Sequence, residues 1–378
     1  MSPSPSTESS LRVLLTNSSS MYGGGEFYVL QLARGLRERG HSVWISCRRD
    51  NPLLQKSLDA GIKTLPLDFP PQGQFVKYVR LLTQFLRANK VRLVHSNANY
   101  DRTAAALAAR LAGCIHVTNI HSFHSIQHNL THWLRNRWAT DHFVVDGVCV
   151  KELLEKKDGI STSKISVVYP GVDPGTMARS RALRKEIRES YGLNESHVVI
   201  GHVGRFVPMK GHTVLLKAFS EIAPRYALAR LLLVGDGELM DELRSEAIAL
   251  GILPQTVFAG FRDDLQALYS AFDLYAHPSL EGGGETFPFA VLQALAQELP
   301  AVVTRVGDLP AMIQESVNGY VVPDNNPHVL AEKLMLLLSN ERRRGEMGQQ
   351  GRELLLERFT LEKTVGSIEQ LYYTLLKN

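Results

Sequence analysis

At 378 residues the chain exceeds the roughly 250–300 residues over which one hydrophobic core keeps growing, so two domains are expected. Its 44% apolar and 21% charged content is that of an ordinary soluble globular protein and excludes collagenous, disordered and disulfide-dense classes. The net charge of +4 hides an asymmetry: residues 1–175 carry 21 Lys and Arg against 13 Asp and Glu, or +8, and the remainder carries 21 against 25, or −4.

A basic first half suits an anionic partner such as a phospholipid surface, a lipid-linked phosphate or an acidic glycan; solvated surface charge explains it equally well. Cys47, Cys114 and Cys149 lie far apart with no CxxC pair, which fits a reducing compartment and small buried side chains rather than a disulfide framework or a zinc site. No stretch reaches the roughly 20 apolar residues that cross a bilayer. Residues 1–10, "MSPSPSTESS", have neither the basic nor the apolar segment of a signal peptide and read as a disordered tail. The expected location is cytoplasmic, with peripheral contact on the cytoplasmic face of a membrane as an option.

From residue 11 apolar runs alternate with amphipathic stretches. "LRVLLTN" precedes "EFYVLQLARGLRERG", "HSVWISC" precedes "PLLQKSLDAG", and "VRLVHSN", "TAAALAARLAG" and "IHVTNIH" continue the rhythm. Strands rich in Val, Ile and Leu, joined by helices that end in Gly, predict a doubly wound parallel sheet covered on both faces. The rhythm breaks after "ISVVYPGVD" into "PGTMARSRALRKEIRESYGLNESH", so a domain boundary is placed at residues 173/174. A second series follows in "VVIGHVGRF", "RLLLVGDG", "TVFAGF", "LYAHPS" and "PAVVTRV". The expected architecture is α/β, two Rossmann-like domains over 11–173 and 174–359, with a ligand cleft between them and the helix of 360–378 crossing back onto the first.

Within the first domain, Gly23, Gly24 and Gly25 sit where a strand passes through a loop into a helix, and such glycines let a phosphate or sugar approach the backbone. The pattern is neither a GxGxxG fingerprint nor a Walker loop, and turn flexibility alone would also explain it. His121, His124, His128 and His132 are spaced to line one helix face around zinc, but the run starts in a loop with no acidic ligand nearby, and no metal is expected. His121, at the end of a strand, is better placed to donate a hydrogen bond to a substrate.

In the second domain a strand ends in Gly204 and Arg205, and Lys210 follows just before Gly211 and a helix. Two cations on such a turn suit a diphosphate, whose charge grows as it departs. Farther on, "LYAHPSL" reads as a strand, "EGGGET" as a loop and "FPFAVLQALAQ" as a helix with Pro288 near its first turn. Glu285 then stands at the helix start, either as an acid complementing the helix dipole or, eight residues from Gln293 on the same side, as half of a pair facing one ligand. Thr286 and Phe287 lie at that start. Glu281 falls at the outer edge of the loop.

Taken together, "GGGE", "LVHSN", the strand before His121, "VVYPGVD", "VGRFVPMKG", "LLLVGDGE", "VFAGF" and "GETFPFAVLQALAQELPAVVTRVGDLPAMI" resemble, in order and spacing, the retaining glycosyltransferases of family 4 with the GT-B fold. The resemblance implies transfer of a sugar from a nucleotide-diphosphate sugar to a glycan, lipid-linked or small-molecule acceptor with retention of configuration. It implies no cofactor, no obligatory metal and no nucleic-acid partner. Arg205 and Lys210 match the donor-diphosphate pair, with Gly204 beside them, and Glu285 matches the first Glu of a Glu-x7-Glu motif that contacts the donor sugar. Gln293 stands where the second Glu, the ribose ligand, is usual; an amide still offers an acceptor oxygen without the carboxylate's charge. Gly24 and Gly25 match a loop near the donor phosphates, and His121 a histidine near the transferred sugar. Thr286 and Phe287 join the donor-binding set, and Phe261 with Arg262 are candidates for base recognition. Pro170, where Asn is common, is a second departure. Two other readings keep the fold: a nucleotide-sugar-binding protein without transferase activity, prompted by Gln293, and a nucleotide-sugar epimerase. A dinucleotide oxidoreductase is disfavoured by the missing phosphate fingerprint.

Overall fold

The structure, a computed structural model, describes residues 10–68 and 74–377; the expected tail, Ser10 excepted, lies outside the described residues. The chain divides into two units, one of Met1–Tyr169 with Leu361–Asn378 and one of Pro170–Thr360. The first crossing thus falls at Tyr169/Pro170, four residues before the predicted boundary.

The first unit is built on a parallel sheet of β1 (Arg12–Asn17), β2 (Ser42–Cys47), β3 (Lys63–Pro66), β4 (Leu93–Ser96), β5 (Ile115–Ile120), β6 (His142–Val145) and β7 (Ile165–Val167). Their order is β3-β2-β1-β4-β5-β6-β7. Alternating sides of the sheet cannot both face water, so strands such as Val13–Leu15 and Phe143–Val145 are apolar at every position and buried. The short strands β3 and β6 do not stand out in the sequence pattern. The edge strand β7 stops at Val167, three residues before Pro170, which has no N–H to donate to a ladder.

One face of this sheet holds the core of Leu14, Val94, Leu82 and Leu86 against the alanines 104, 105, 108 and 109. Helix Leu361–Lys377 packs onto helix Gly24–Glu38. A Cβ on Gly35 would sit 2.5 Å from Val365 Cγ2, so a glycine is needed where the two helices touch. Tyr372 on that helix lies with its hydroxyl 2.6 Å from His95 Nδ1, and Glu369 pairs with Arg39 at 2.7 Å.

The second unit repeats the plan in β8 (Val198–Val203), β9 (Ala229–Val234), β10 (Thr256–Phe258), β11 (Leu274–His277), β12 (Ala301–Thr304) and β13 (Gly319–Val322). The order is β10-β9-β8-β11-β12-β13, all parallel. In each sheet the chain starts in the middle and runs outward both ways, so the order reverses beside the first strand. At such a switch point two adjacent loops diverge to opposite faces and leave a crevice at the strands' carboxyl ends. In the second unit that point lies between β8 and β11.

Candidate functional site

Lys210 follows β8 and Glu285 follows β11, the two strands that flank the switch point of the second sheet. Lys210 Nζ donates to Glu285 Oε2 at 2.5 Å. Ser279 Oγ donates to the same oxygen at 2.8 Å, and His277 Nε2 lies 3.2 Å from it. All three partners bind Oε2; among the described residues no hydrogen bond reaches Oε1, which is left to accept a ligand hydroxyl. The lysine side chain is 15% exposed and the glutamate 9%, which makes this a nearly buried ion pair with one open side.

Burial pushes the Glu285 carboxyl up, but the Lys210 ammonium and the His277 hydrogen bond outweigh it and hold the group well below the usual carboxylate range. Three imidazoles lie close to Lys210. Burial drives His202 well below its ordinary value, His212 down to about 3, and His277 down against the opposing pull of Glu285. All three are therefore neutral near pH 7, and the ammonium is the cation that faces Glu285. His202 Nδ1 donates to the Ala276 carbonyl at 2.9 Å, which fixes its tautomer, and Ser279 is itself held by Thr304 Oγ1 donating to its carbonyl at 2.6 Å.

Backbone packing sets this geometry. Gly211 has φ +66°, and a Cβ there would lie 1.9 Å from the Pro278 carbonyl oxygen. The turn that carries Lys210 can therefore press against the loop that carries Ser279 and Glu285 only with glycine at this position. The loop after β9 does the same at Gly235, where a Cβ would lie 1.9 Å from the Gly204 carbonyl oxygen.

Several expectations change. Helix Phe289–Ala296 begins after Pro288, which is its N-cap with φ −74° and ψ 127°. Proline favours extended backbone there, and Glu285 is a loop residue four positions earlier, not an acid of the first turn. The helical argument that puts Glu285 and Gln293 on one side fails for the same reason; Gln293 is a buried residue inside the helix. Phe287 is buried, its ring 5.2 Å from that of Phe359, so its side chain anchors the loop in the core. Thr286 is buried too, and its carbonyl accepts the Asp308 N–H at 3.0 Å. Arg205 is exposed, whereas Lys210 turns inward to Glu285. Gly204 N–H donates to the Val234 carbonyl at 3.0 Å. Phe261 is 69% exposed, and Arg262 is held by Asp264 and by the Tyr191 hydroxyl at 3.1 Å. Glu281 N–H donates to Asp324 at 2.9 Å.

The first unit gathers a second set. Gly24 and Gly25 open helix Gly24–Glu38, and Glu26 folds back to accept the Gly23 N–H at 2.8 Å and the Asn17 amide at 3.0 Å. These two bonds from one carboxylate fix the glycine turn after β1. A Cβ on Gly25 would lie 3.9 Å from His121 Cδ2, so the two candidates are neighbours. His121 Nδ1 lies 2.7 Å from Asp146 Oδ2, and the Tyr28 ring meets the imidazole edge-on at 4.9 Å. A carboxylate on Nδ1 fixes the tautomer and orientation of a histidine. Among the described residues, no three His, Cys, Asp or Glu side chains form a group able to hold a metal ion.

Asp146, His277 and Ser279 were missed from sequence. Each sits at or just beyond the end of a strand, in "HFVVDG" and "LYAHPS". A polar residue that ends an apolar strand is the signal that would have found them.

Two doubly wound units, each with polar side chains gathered at the carboxyl ends of its strands, define the GT-B class of Rossmann-like proteins. The family described as Glycosyl transferases group 1 matches residues 184–354, and Glycosyltransferase Family 4 matches residues 22–176. The chain belongs to these glycosyltransferases. It is 31% identical over 193 residues to N-acetyl-alpha-D-glucosaminyl L-malate synthase of Bacillus anthracis, a match covering 51% of the chain and 50% of that relative, so it spans about half the relative's length. It is 23% identical to UDP-Gal:alpha-D-GlcNAc-diphosphoundecaprenol alpha-1,3-galactosyltransferase of Escherichia coli, with 99% of each covered. Among solved structures, a glycosyltransferase from Rickettsia africae ESF-5 superposes with a TM-score of 0.90 at 20% identity, covering 98% of the chain and 100% of that protein. Anabaena HepE in complex with UDP gives 0.84 at 21%, covering 96% and 100%.

Proposed function

We propose that the protein transfers a sugar from a nucleotide-diphosphate sugar to a glycan or lipid-linked acceptor with retention of anomeric configuration. The observation that carries this reading is the Lys210–Glu285 pair at the switch point of the second sheet, a cation beside a carboxylate with one free oxygen. Lys210 has three N–H donors and uses one on Glu285, which leaves two for a diphosphate oxygen. Arg205, exposed on the same turn, adds a second cation as the leaving group gains charge. Glu285 Oε1 accepts a hydroxyl of the transferred sugar, and the acceptor attacks from the face the nucleotide leaves, its proton passing to the departing phosphate oxygen. His121, oriented by Asp146, binds the sugar or acceptor in the first unit.

UDP is the first nucleotide to test, since it is bound in the HepE structure and named in the Escherichia coli relative. In this reading Arg205 and Lys210 supply the charge, so no metal is required and turnover survives EDTA. The experiment is a melting screen against UDP, GDP, ADP, CMP and dTDP, followed by the matching nucleotide sugars with candidate acceptors and NMR of the product anomer. Stabilisation by one nucleotide and a retained anomer support the proposal. An inverted anomer overturns it, and donor binding with neither transfer nor hydrolysis assigns the protein to donor binding alone.

A further inference from the structure

The basic excess of the first half is concentrated in one stretch of the sequence, and the fold brings the helices of that stretch together. From Phe75 to Ala139 the chain contains one acidic residue, Asp101, and it is buried. This segment supplies three neighbouring pieces on one side of the first sheet: helix Phe75–Ala88, helix Arg102–Ala112, and the consecutive turns Leu130–Leu134 and Arg135–Ala139. Buried Arg135 ties the third piece to the second by donating to Thr103 Oγ1 at 3.1 Å.

Their inner faces bury Leu82, Leu86 and the helix alanines in the core. Their outer faces mix bare cations with apolar side chains. On the first helix Val76 is 78% exposed beside Lys77, and Leu81 is exposed beside Arg80. On the second, Leu111 is 57% exposed beside exposed Arg110. On the third, Trp138 is 62% exposed, its ring 6.0 Å from that of Trp133, and the Arg137 guanidinium lies 5.7 Å from the Trp133 ring. Among the described residues, no ion pair engages Lys77, Arg80 or Arg110. The nearby carboxylate of Asp158 is buried and accepts the Ile126 N–H; Asp141, the first exposed acid after the segment, accepts the His116 N–H.

We propose that these three outer faces form a docking surface for an anionic lipid bilayer. The cations match anionic headgroups. A soluble polyanion would satisfy those cations but leave Val76, Leu81, Leu111 and the tryptophan pair in water, whereas a bilayer interface takes both. No described helix is long and apolar enough to cross a membrane, so the contact is peripheral. The proposal is independent of the transfer reading, because it needs no donor and no turnover.

The test uses the full chain with vesicles of equimolar phosphatidylglycerol and phosphatidylcholine, against pure phosphatidylcholine. Flotation is expected with the anionic vesicles only, and added salt weakens it. Tryptophan emission shifts to the blue and is quenched by brominated lipid; Trp44, the third tryptophan, is largely buried and contributes little to the change. Each Lys or Arg near the surface contributes about a five-fold factor, so Lys77→Gln/Arg80→Gln/Arg110→Gln lowers affinity about 100-fold. Trp138→Ser reduces the emission shift while leaving the melting temperature in place. Failure of the wild-type protein to float overturns the proposal. So does unchanged binding by a folded triple variant. Full competition by soluble polyphosphate without any emission shift would assign the surface to a polyanion instead.

Discussion

Replacing Lys210 with methionine keeps the length of the side chain and removes its charge. At 2.5 Å and an effective dielectric of about 20, the pair's gross attraction is roughly 6–7 kcal/mol, most of it offset by the desolvation of both ions. Losing one partner of a buried pair destabilises by about 3–5 kcal/mol, and Ser279 and His277 still bind the stranded carboxylate, so about 3 kcal/mol is expected. In a unit of this size that is a fall of roughly 6–12 °C in the melting transition of Pro170–Thr360, read by calorimetry. Glu285→Gln in the Lys210→Met background removes the stranded charge, so the double variant should be at least 2 kcal/mol more stable than the sum of the single effects predicts. The acid limb provides a second readout. With its folded pKa below the ordinary 4.5, Glu285 contributes stability that is complete above about pH 4.5 and is lost as pH falls through the lower folded value. Lys210→Met flattens that limb. Additivity within about 0.5 kcal/mol, with an unchanged acid limb, would refute the reasoning.

Gly211→Ala places a Cβ against the Pro278 carbonyl at a left-handed φ; a loss of at least about 3 kcal/mol and a sharp fall in nucleotide affinity are expected, measured by melting and calorimetry. Asp146→Asn keeps the shape of the side chain but no longer fixes the His121 tautomer; transfer should drop about tenfold or more while nucleotide affinity holds, and an unchanged rate would remove His121 from the chemistry. Burial pushes the Asp101 carboxyl up to about 6 from an ordinary 3.8, so its favourable contribution is full below pH 4 and is lost as pH rises through 6. Asp101→Asn should therefore be more stable than wild type at pH 7.5, by about 2–3 kcal/mol, and lose that advantage at pH 4; an advantage independent of pH would contradict the assignment.

Much of the architecture was legible because buried parallel strands write themselves as apolar runs, as in "RVLLTN" and "RLLLV", and because a strand, a turn and a helix in repetition admit few topologies. Lys210 and Glu285 were legible as types at the ends of strands. What sequence spacing could not give was their relation. Counting eight residues from Glu285 to Gln293 assumed one continuous helix, but Pro288 holds extended backbone and the helix starts only at Phe289. Phe287 reads as an aromatic at a binding loop and is in fact packed on Phe359.

The sequence by itself determined the two βα series, their strand ends and the glycines at their turns, because these follow from local periodicity and from backbone angles that only certain residues adopt. Tertiary structure alone decided which strand ends meet. The sheet order sets β8 beside β11 and so brings residue 210 onto residue 285, and it sets β5 beside β6 and so brings His121 to Asp146. It also decided which cations of residues 75–139 reach the surface: the consecutive helices Phe75–Ala88 and Arg102–Ala112 pack side by side, leaving Lys77, Arg80 and Arg110 exposed and Arg102 and Arg135 buried. Hydrophobic burial fixes which side of each helix points inward, and the exposed cations take the side that remains.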